Sequence, residues 1–399
     1  MNTPWKVIII AVVTLTMVSV VFLWTRFQKF GIVQKIAGDR KWLRRLLGLI
    51  PMVVLGIFMA VSLVNTAIVM AHMSIYWALA ELVAWIIRKI RGRKKTDTVE
   101  TEETEKTEAA GEAVKSSGAT RKTGRRFRPY IVGIIVLSFE LCYFSYAWVM
   151  AHNVWEKDYQ LTTEKDLGGE KLRIAQIADS HIGTTFDGEG FEKHLQTIQA
   201  QNPDILFITG DFVDDDTTME DMLRSCLALA RFQCKYGVYY VYGNHDQGYF
   251  RHKNFDGEQL KEALEAAGVV VMEDSVELID NRFYVVGRKD RRMEGRVEVG
   301  DLTALLDPSK YTIILDHQPN DYDAEAATGA DLVLSGHSHG GQMLEMNLIG
   351  QLIGSNDQTY GIETRDKTTF IVTSGISDWT LKFKTGCRSE YVIIDVTGK

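Results

Sequence analysis

Residues 46–87 form an apolar run of about 42 residues whose one charged side chain is Glu81. A helix needs roughly 20 residues to cross a bilayer, so this run is long enough for two spans. The pattern predicts a hairpin of helices at about 46–70 and 73–88, turning near Ala71-His72-Met73. Two further apolar runs flank it, at 7–24 and at 130–151, the second with Glu140 in mid-span. The first is preceded by Lys6 alone and followed by no small-residue cleavage site, so it reads as an uncleaved helix. About four transmembrane helices are therefore expected, with residues 1–151 as a membrane anchor.

Charge orients the expected anchor. The loop after the first helix holds Arg26, Lys29, Lys35, Arg40, Lys41, Arg44 and Arg45 against Asp39, and basic clusters also occupy 88–95 and 121–128. Both loops belong in the cytoplasm by the positive-inside rule, which puts everything after residue 151 outside it. Residues 96–120, rich in Thr, Glu and Lys, have too little apolar surface to offset ordering and read as a disordered cytoplasmic linker. Glu81 and Glu140 are expected to face neighbouring helices or to be protonated, since a transport path would need more spans and more polar groups.

From residue 152 the composition becomes that of a soluble globular protein. Residues 152–171 read as a lead-in, and 172–399 can bury a core without disulfides. Cys142, Cys226, Cys234 and Cys387 have no zinc-like or redox-like spacing and are expected to be buried or half-buried free thiols. A net charge of −7 gives no support for nucleic-acid binding, and no obligatory protein partner is evident.

Short apolar runs at 172–178, 205–209, 238–242, 269–272, 283–286, 312–315, 332–334, 370–373 and 391–396 predict strands. Helical spacing at 191–201, 219–232 and 259–267 separates several of them, so the expected fold is a layered α/β sandwich. Five signatures follow these strands: Asp179-Ser180-His181, Gly210-Asp211, Gly243-Asn244-His245-Asp246, Asp316-His317 and Gly336-His337-Ser338-His339. Ligand sites in open α/β sheets gather beyond the carboxyl ends of strands, so residues distant in sequence can converge there. Five of the nine histidines lie in these signatures, and each signature alone would pass for ordinary turn chemistry. Their shared placement points to a site for two divalent metals. Carboxylate, amide and imidazole donors suit Mn, Fe or Zn.

The order and wording of these signatures resemble the calcineurin-like metallophosphoesterases over about residues 172–396. Gly336 to Gln342 is most similar to a membrane-associated bacterial branch of phosphodiesterases, pyrophosphatases and phospholipid-type hydrolases. Met343-Leu344-Glu345-Met346 departs from the Leu-Pro stretch often found there. The resemblance implies one metal held by Asp179, His181, Asp211 and His339, and a second by Asp211, Asn244, His317 and His337. It implies attack on phosphorus by a hydroxide bridging the two. His245 would then serve as general acid or transition-state stabiliser, with Asp246 orienting its other ring nitrogen. Asp214 is a candidate partner of a ligand or a solvated turn acid. His152, His194 and His252 match no signature and read as surface or core residues. Arg288, Lys289, Arg291 and Arg292 either meet an anionic substrate or form a solvated basic loop.

The expectation is a multi-pass membrane phosphohydrolase acting on a phosphodiester or pyrophosphate bond of a lipid-linked or envelope substrate. Two alternatives stand beside it: a phosphodiesterase on soluble nucleotides, and a membrane sensor that binds without turnover.

Overall fold

The computed structural model describes residues 3–102, 129–168, 171–247, 254–344, 347–348, 350 and 356–398. Two compact units make up the chain, Met1–Tyr143 and Phe144–Lys399.

The first unit contains α1 (Thr3–Phe27), α2 (Gly31–Ala37), α3 (Lys41–Val61), α4 (Leu63–Glu102) and most of α5 (Ile131–His152). Among the described residues three helical stretches are long and apolar enough to cross a membrane: Lys41–Met59, Leu63–Arg91 and Ile131–His152. The patterning predicts four; the described apolar part of α1, Val13–Phe27, is shorter than a span. The break between the middle helices also differs. It falls at Ser62, in extended backbone, and not at Ala71-His72-Met73, which has no Gly or Pro to stop a helix and continues α4. Residues 96–102 of the expected linker extend α4, and 103–120 lie outside the described residues.

The two carboxylates within its apolar runs are paired. Glu140 is buried against His72 Nδ1 at 2.9 Å, while Glu81 meets Arg26 at 2.9 Å, Lys29 at 2.7 Å and the Tyr130 hydroxyl. Leu23, Phe27, Met70, Met73, Trp77 and Val136 pack together between α1, α4 and α5.

The second unit runs β1 (Val154–Thr162), β2 (Leu172–Ile177), α6 (Gly188–Gln199), β3 (Ile205–Thr209), α7 (Met219–Ala230), β4 (Val238–Val241), α8 (Gly257–Ala266), β5 (Val270–Met272), β6 (Ser275–Ile279), β7 (Phe283–Gly287), α9 (Val299–Thr303), β8 (Tyr311–Leu315), α10 (Tyr322–Ala327), β9 (Leu332–Ser335), β10 (Gly361–Arg365), β11 (Thr368–Val372) and β12 (Ser389–Thr397). One six-stranded sheet has the order β1-β12-β2-β3-β4-β5, the other β10-β11-β9-β8-β7-β6.

Strand periodicity of two sorts the core into layers. Leu172 and Ile174 of β2 join Ile205, Phe207, Ile313, Leu315 and Leu334 between the sheets. Ala175 and Ile177 point the other way, into the cluster that Phe191, Leu195, Met222 and Leu260 build with α6–α8. The second sheet is covered outside by Val299 and Tyr322, from α9 and α10. Caps fix the helix starts: Asp187 accepts from Gly190, Thr218 from Asp221, and Asp256 forms a capping box with Gln259.

Residues 154–162, read from sequence as part of a lead-in, form edge strand β1, paired in parallel with β12. Asp395 of β12 fixes this end of the sheet. Its buried carboxylate accepts from Arg173 of β2 at 2.8 and 3.0 Å, from Gln160 of β1 at 3.1 Å and from Lys171. The Arg173 bonds hold that carboxyl well below its usual range, against the opposing effect of burial. A depressed folded-state value means stabilisation that is complete above about pH 4, the unfolded value, and lost as pH falls through the folded one. Asp395→Asn should therefore cost about 1–3 kcal/mol at pH 7. In melting curves the gap between wild type and variant should close as the pH is taken well below 4; a gap independent of pH would contradict the assignment.

Candidate metal centre

Five neighbouring strand ends supply the site. β2, β3 and β4 lead into Asp179, Asp211 and Asn244, while β8 and β9 lead into His317 and His337. Bonds between the sheets hold the two rims in register. The Gln176 amide donates across to Ser335 O, and within its own sheet to Thr209 Oγ1, both at 3.1 Å, and the His337 N–H donates to the Asp179 carboxylate at 3.0 Å.

All seven expected ligands and His245 lie in this crevice, and all but the partly exposed His337 are buried. Among the described residues three groups have donor atoms close enough to share an ion: Asp179, His181 and His339; Asp211, His317 and His337; and His181, Asp214 and His245, which reuses His181. Asp211 lies between the first two, its Oδ2 at 3.1 Å from His317 Nε2 and 3.7 Å from His181 Nε2. Its Oδ1 accepts the His245 N–H at 2.8 Å.

The donor set fits divalent cations by a test internal to the fold. His181 Nε2 and Asn244 Oδ1 are buried with no hydrogen-bond partner, although such groups are normally satisfied, and His317 Nε2 faces the Asp211 carboxylate, itself a candidate ligand. The opposite ring edges are held: His317 Nδ1 lies 2.8 Å from Thr209 O, and His181 Nδ1 3.1 Å from Asp214 Oδ2. Asp214 is thus a buried partner of His181 and not a solvated turn acid.

Backbone shape is part of the arrangement. Asp179, His181, Asp211, His337 and His339 all adopt positive φ, between 35° and 69°. Close approach also requires glycine. A Cβ on Gly336 would lie 2.6 Å from Ala178 Cβ and 2.8 Å from Asp179 Oδ2, and one on Gly243 would collide with Asp211 Oδ1 and N.

Charge is arranged in opposed groups. Burial raises the Asp211 carboxyl, but the facing His317 more than reverses this and leaves it well below its usual range. His317 is driven well above its ordinary value because Asp211 outweighs its own burial. Burial pushes Asp179 up to about 6 and lowers His245 to about 4.

Asp246 has a task that the sequence did not reveal. Its carboxylate oxygens are taken by four backbone N–H groups, from Asp211 and Phe212 at 2.8 Å, Val213 at 3.1 Å and Gly243 at 2.7 Å. It organises the two strand-end loops. His245 packs beside His181 and Trp379, with ring centroids 5.0 and 5.3 Å away.

Trp379 and its neighbour Asp378 carried no sequence signature. Both lie in the loop between β11 and β12, several residues past the strand end, where no local motif marks them. The basic loop after β7 divides in two. Arg288 is buried among Asp316, Asp321 and Glu325, whereas Arg292 lines a cleft of about 300 Å³ with Asn244, Gln247 and Met293. Of the unassigned histidines, His152 and His194 lie away from the crevice lining and His252 is outside the described residues, as are 345–346. Cys142 is exposed, Cys226 buried, and Cys234 and Cys387 half-buried; all four are free.

A family profile described as calcineurin-like phosphoesterase matches residues 172–341. A metallophosphoesterase of Aquifex aeolicus is 31% identical over 248 residues, covering 60% of this chain and 91% of that protein. One of Campylobacter jejuni is 28% identical over 233 residues, 57% of this chain and 60% of its own length. A Bos taurus protein described as a transmembrane protein with metallophosphoesterase domain is 25% identical over 234 residues, covering 55% of this chain and 51% of that one. The chain belongs to the calcineurin-like phosphoesterase family.

Gly243→Ala should push the Asp211 carboxylate out of line and weaken divalent-metal binding by roughly tenfold or more, read by calorimetric titration. Gly300→Ala, where a Cβ meets nothing within 4 Å, is the control and should bind as wild type. Equal affinity in both would refute the steric account.

Proposed function

We propose that the chain is a membrane-anchored phosphohydrolase that uses two divalent cations to cleave a phosphodiester or pyrophosphate bond. The observation that carries this is the pair of donor triads meeting at Asp211, with buried imidazole and amide atoms left for an ion. Asp179, His181, Asp211 and His339 would hold one cation, and Asp211, Asn244, His317 and His337 the other. Mn, Fe and Zn all suit these donors. Such a pair lowers the pKa of a shared water and neutralises charge on phosphoryl oxygens.

The protein's own groups do the rest. The buried carboxylates and imidazoles set the positions of the donors before substrate arrives. Asp246 fixes the backbone that carries Asp211, and the Asp211 carboxylate in turn holds the His245 N–H. His245, walled by Trp379, faces the crevice where it can pass a proton to the leaving oxygen or stabilise its charge. Arg292, in the cleft beside Asn244, gives an anionic substrate a counter-charge.

Three helices long and apolar enough to span a bilayer support a membrane setting, and hence a lipid-linked or envelope phosphate. The basic residues between α1 and α3 and after α4 support a reading with both loops in the cytoplasm and the phosphoesterase unit outside it.

Purified full-length protein should hydrolyse bis-p-nitrophenyl phosphate with Mn²⁺ and lose activity on chelation. His245→Ala should lower kcat roughly 100- to 10,000-fold with metal still bound, and Asp211→Asn should abolish turnover. Absence of turnover with metal bound would favour the binding-only sensor. Orientation is checked separately by reporter fusions after His152 and within residues 96–120, which should report opposite sides of the membrane. Signals from the same side would overturn the assignment.

A further inference from the structure

The imidazoles around the candidate metal centre follow a shared plan. His317 turns Nε2 toward Asp211 and has Nδ1 held by the Thr209 carbonyl, and His181 does the same with Asp214. His339 turns Nε2 toward Asp179, at 3.9 Å, and its Nδ1 lies 3.9 Å from Asp378 Oδ1. That separation is about 1 Å longer than a hydrogen bond. His339 Nδ1 and Asp378 Oδ2 are fully buried without a hydrogen-bond partner, and Asp378 Oδ1 has the Lys384 ammonium at 3.2 Å. An unpartnered ring nitrogen therefore faces a carboxylate with accepting capacity left.

Asp378 is not free to turn away. Lys384, with no exposed surface, places Nζ 3.2 Å from Asp378 Oδ1 and donates to Ser374 O at 2.8 Å, Ser377 O at 3.0 Å and Ser389 Oγ at 3.2 Å. A buried ion pair of this kind is costly to desolvate, and apolar residues of similar size would stabilise the fold as well or better. Its retention beside a ligand-type histidine needs a reason other than stability. A carboxylate on the far nitrogen of a metal-binding imidazole fixes the ring and raises its basicity.

The same segment is clamped to the end of α5, whose residues 144–152 belong to the second unit. The Lys384 N–H donates to Ala147 O at 3.1 Å, and Ser389 Oγ donates to Ala151 O at 2.8 Å. The last four carbonyls of a helix lack intrahelical partners, so the Ser389 bond gives the Ala151 carbonyl a partner, while the Lys384 bond adds a second donor at Ala147.

We infer that Asp378, braced by the buried Lys384 and through it by the end of α5, is a positioning residue that aligns His339 for one of the two cations. The inference rests on the two-metal reading, and wild type tests that reading first. Full-length protein stripped with chelator is titrated with Mn²⁺ in a calorimeter, and the melting temperature of the metal-free form is measured alongside. Wild type should take up two equivalents. Asp378→Asn should weaken one equivalent about 10- to 100-fold and leave the other unchanged. Because that change strands the Lys384 charge, the double variant Asp378→Asn/Lys384→Met is made as well. It should keep the selective loss while melting at or above the single variant, and Asp378→Glu should recover part of the affinity. Two equivalents of unchanged affinity in the single and double variants would overturn the inference alone. So would an equal loss at both equivalents, the mark of general loosening. A wild type that binds no Mn²⁺ would overturn the two-metal reading and the inference with it.

Discussion

The Asp246 carboxylate is the knot on which the site depends. By accepting N–H groups from Asp211, Phe212, Val213 and Gly243 it joins the ends of β3 and β4 into one rigid turn. A carboxylate that accepts several backbone N–H bonds is strongly stabilised in its charged form, and here it lies buried where such bonds are strongest. Everything at the centre of the crevice inherits its position from this turn: Asp211 by its own backbone, His245 by its bond to Asp211, and Asn244 by lying between them.

Much of the phosphoesterase unit was legible because its central strands are buried on both faces and so read as continuous apolar runs. β2, β3, β4, β8, β9 and β12 are of this kind, and the signatures at their ends were legible with them. The strands that escaped notice, β1, β6 and β10, are all at sheet edges. Their sequences, such as VWEKDYQLT and GIETR, carry the charges that protect an edge from pairing with other chains, which erases the apolar signal. Asp378, Lys384 and Trp379 were hidden for a different reason. Their meaning comes from partners brought close by the sheet, and no local spacing records that. Asp246 was found as a site residue, but its bonds to four backbone N–H groups were not legible, since three of those donors lie in the loop after β3.

The helical unit gives a matching lesson about polar groups among apolar ones. Glu81 and Glu140 stood out in the sequence as costly, and each has a basic or imidazole partner from another helix. Hydropathy located the apolar runs but misjudged the boundary within the longest one. Ser62, a small polar residue with no special marking, ends α3, while the stretch around His72 continues as helix and uses that histidine for packing.

Five of the residues proposed to hold metal sit in backbone conformations better suited to glycine. Each such residue costs on the order of 1 kcal/mol. Glycine would relax the chain there and at the same time remove the donor, so selection for a sturdier metal-free fold and selection for the crevice pull in opposite directions. The strand-end turns are thus a loaded spring, compressed when the chain folds and held so by the surrounding hydrogen bonds.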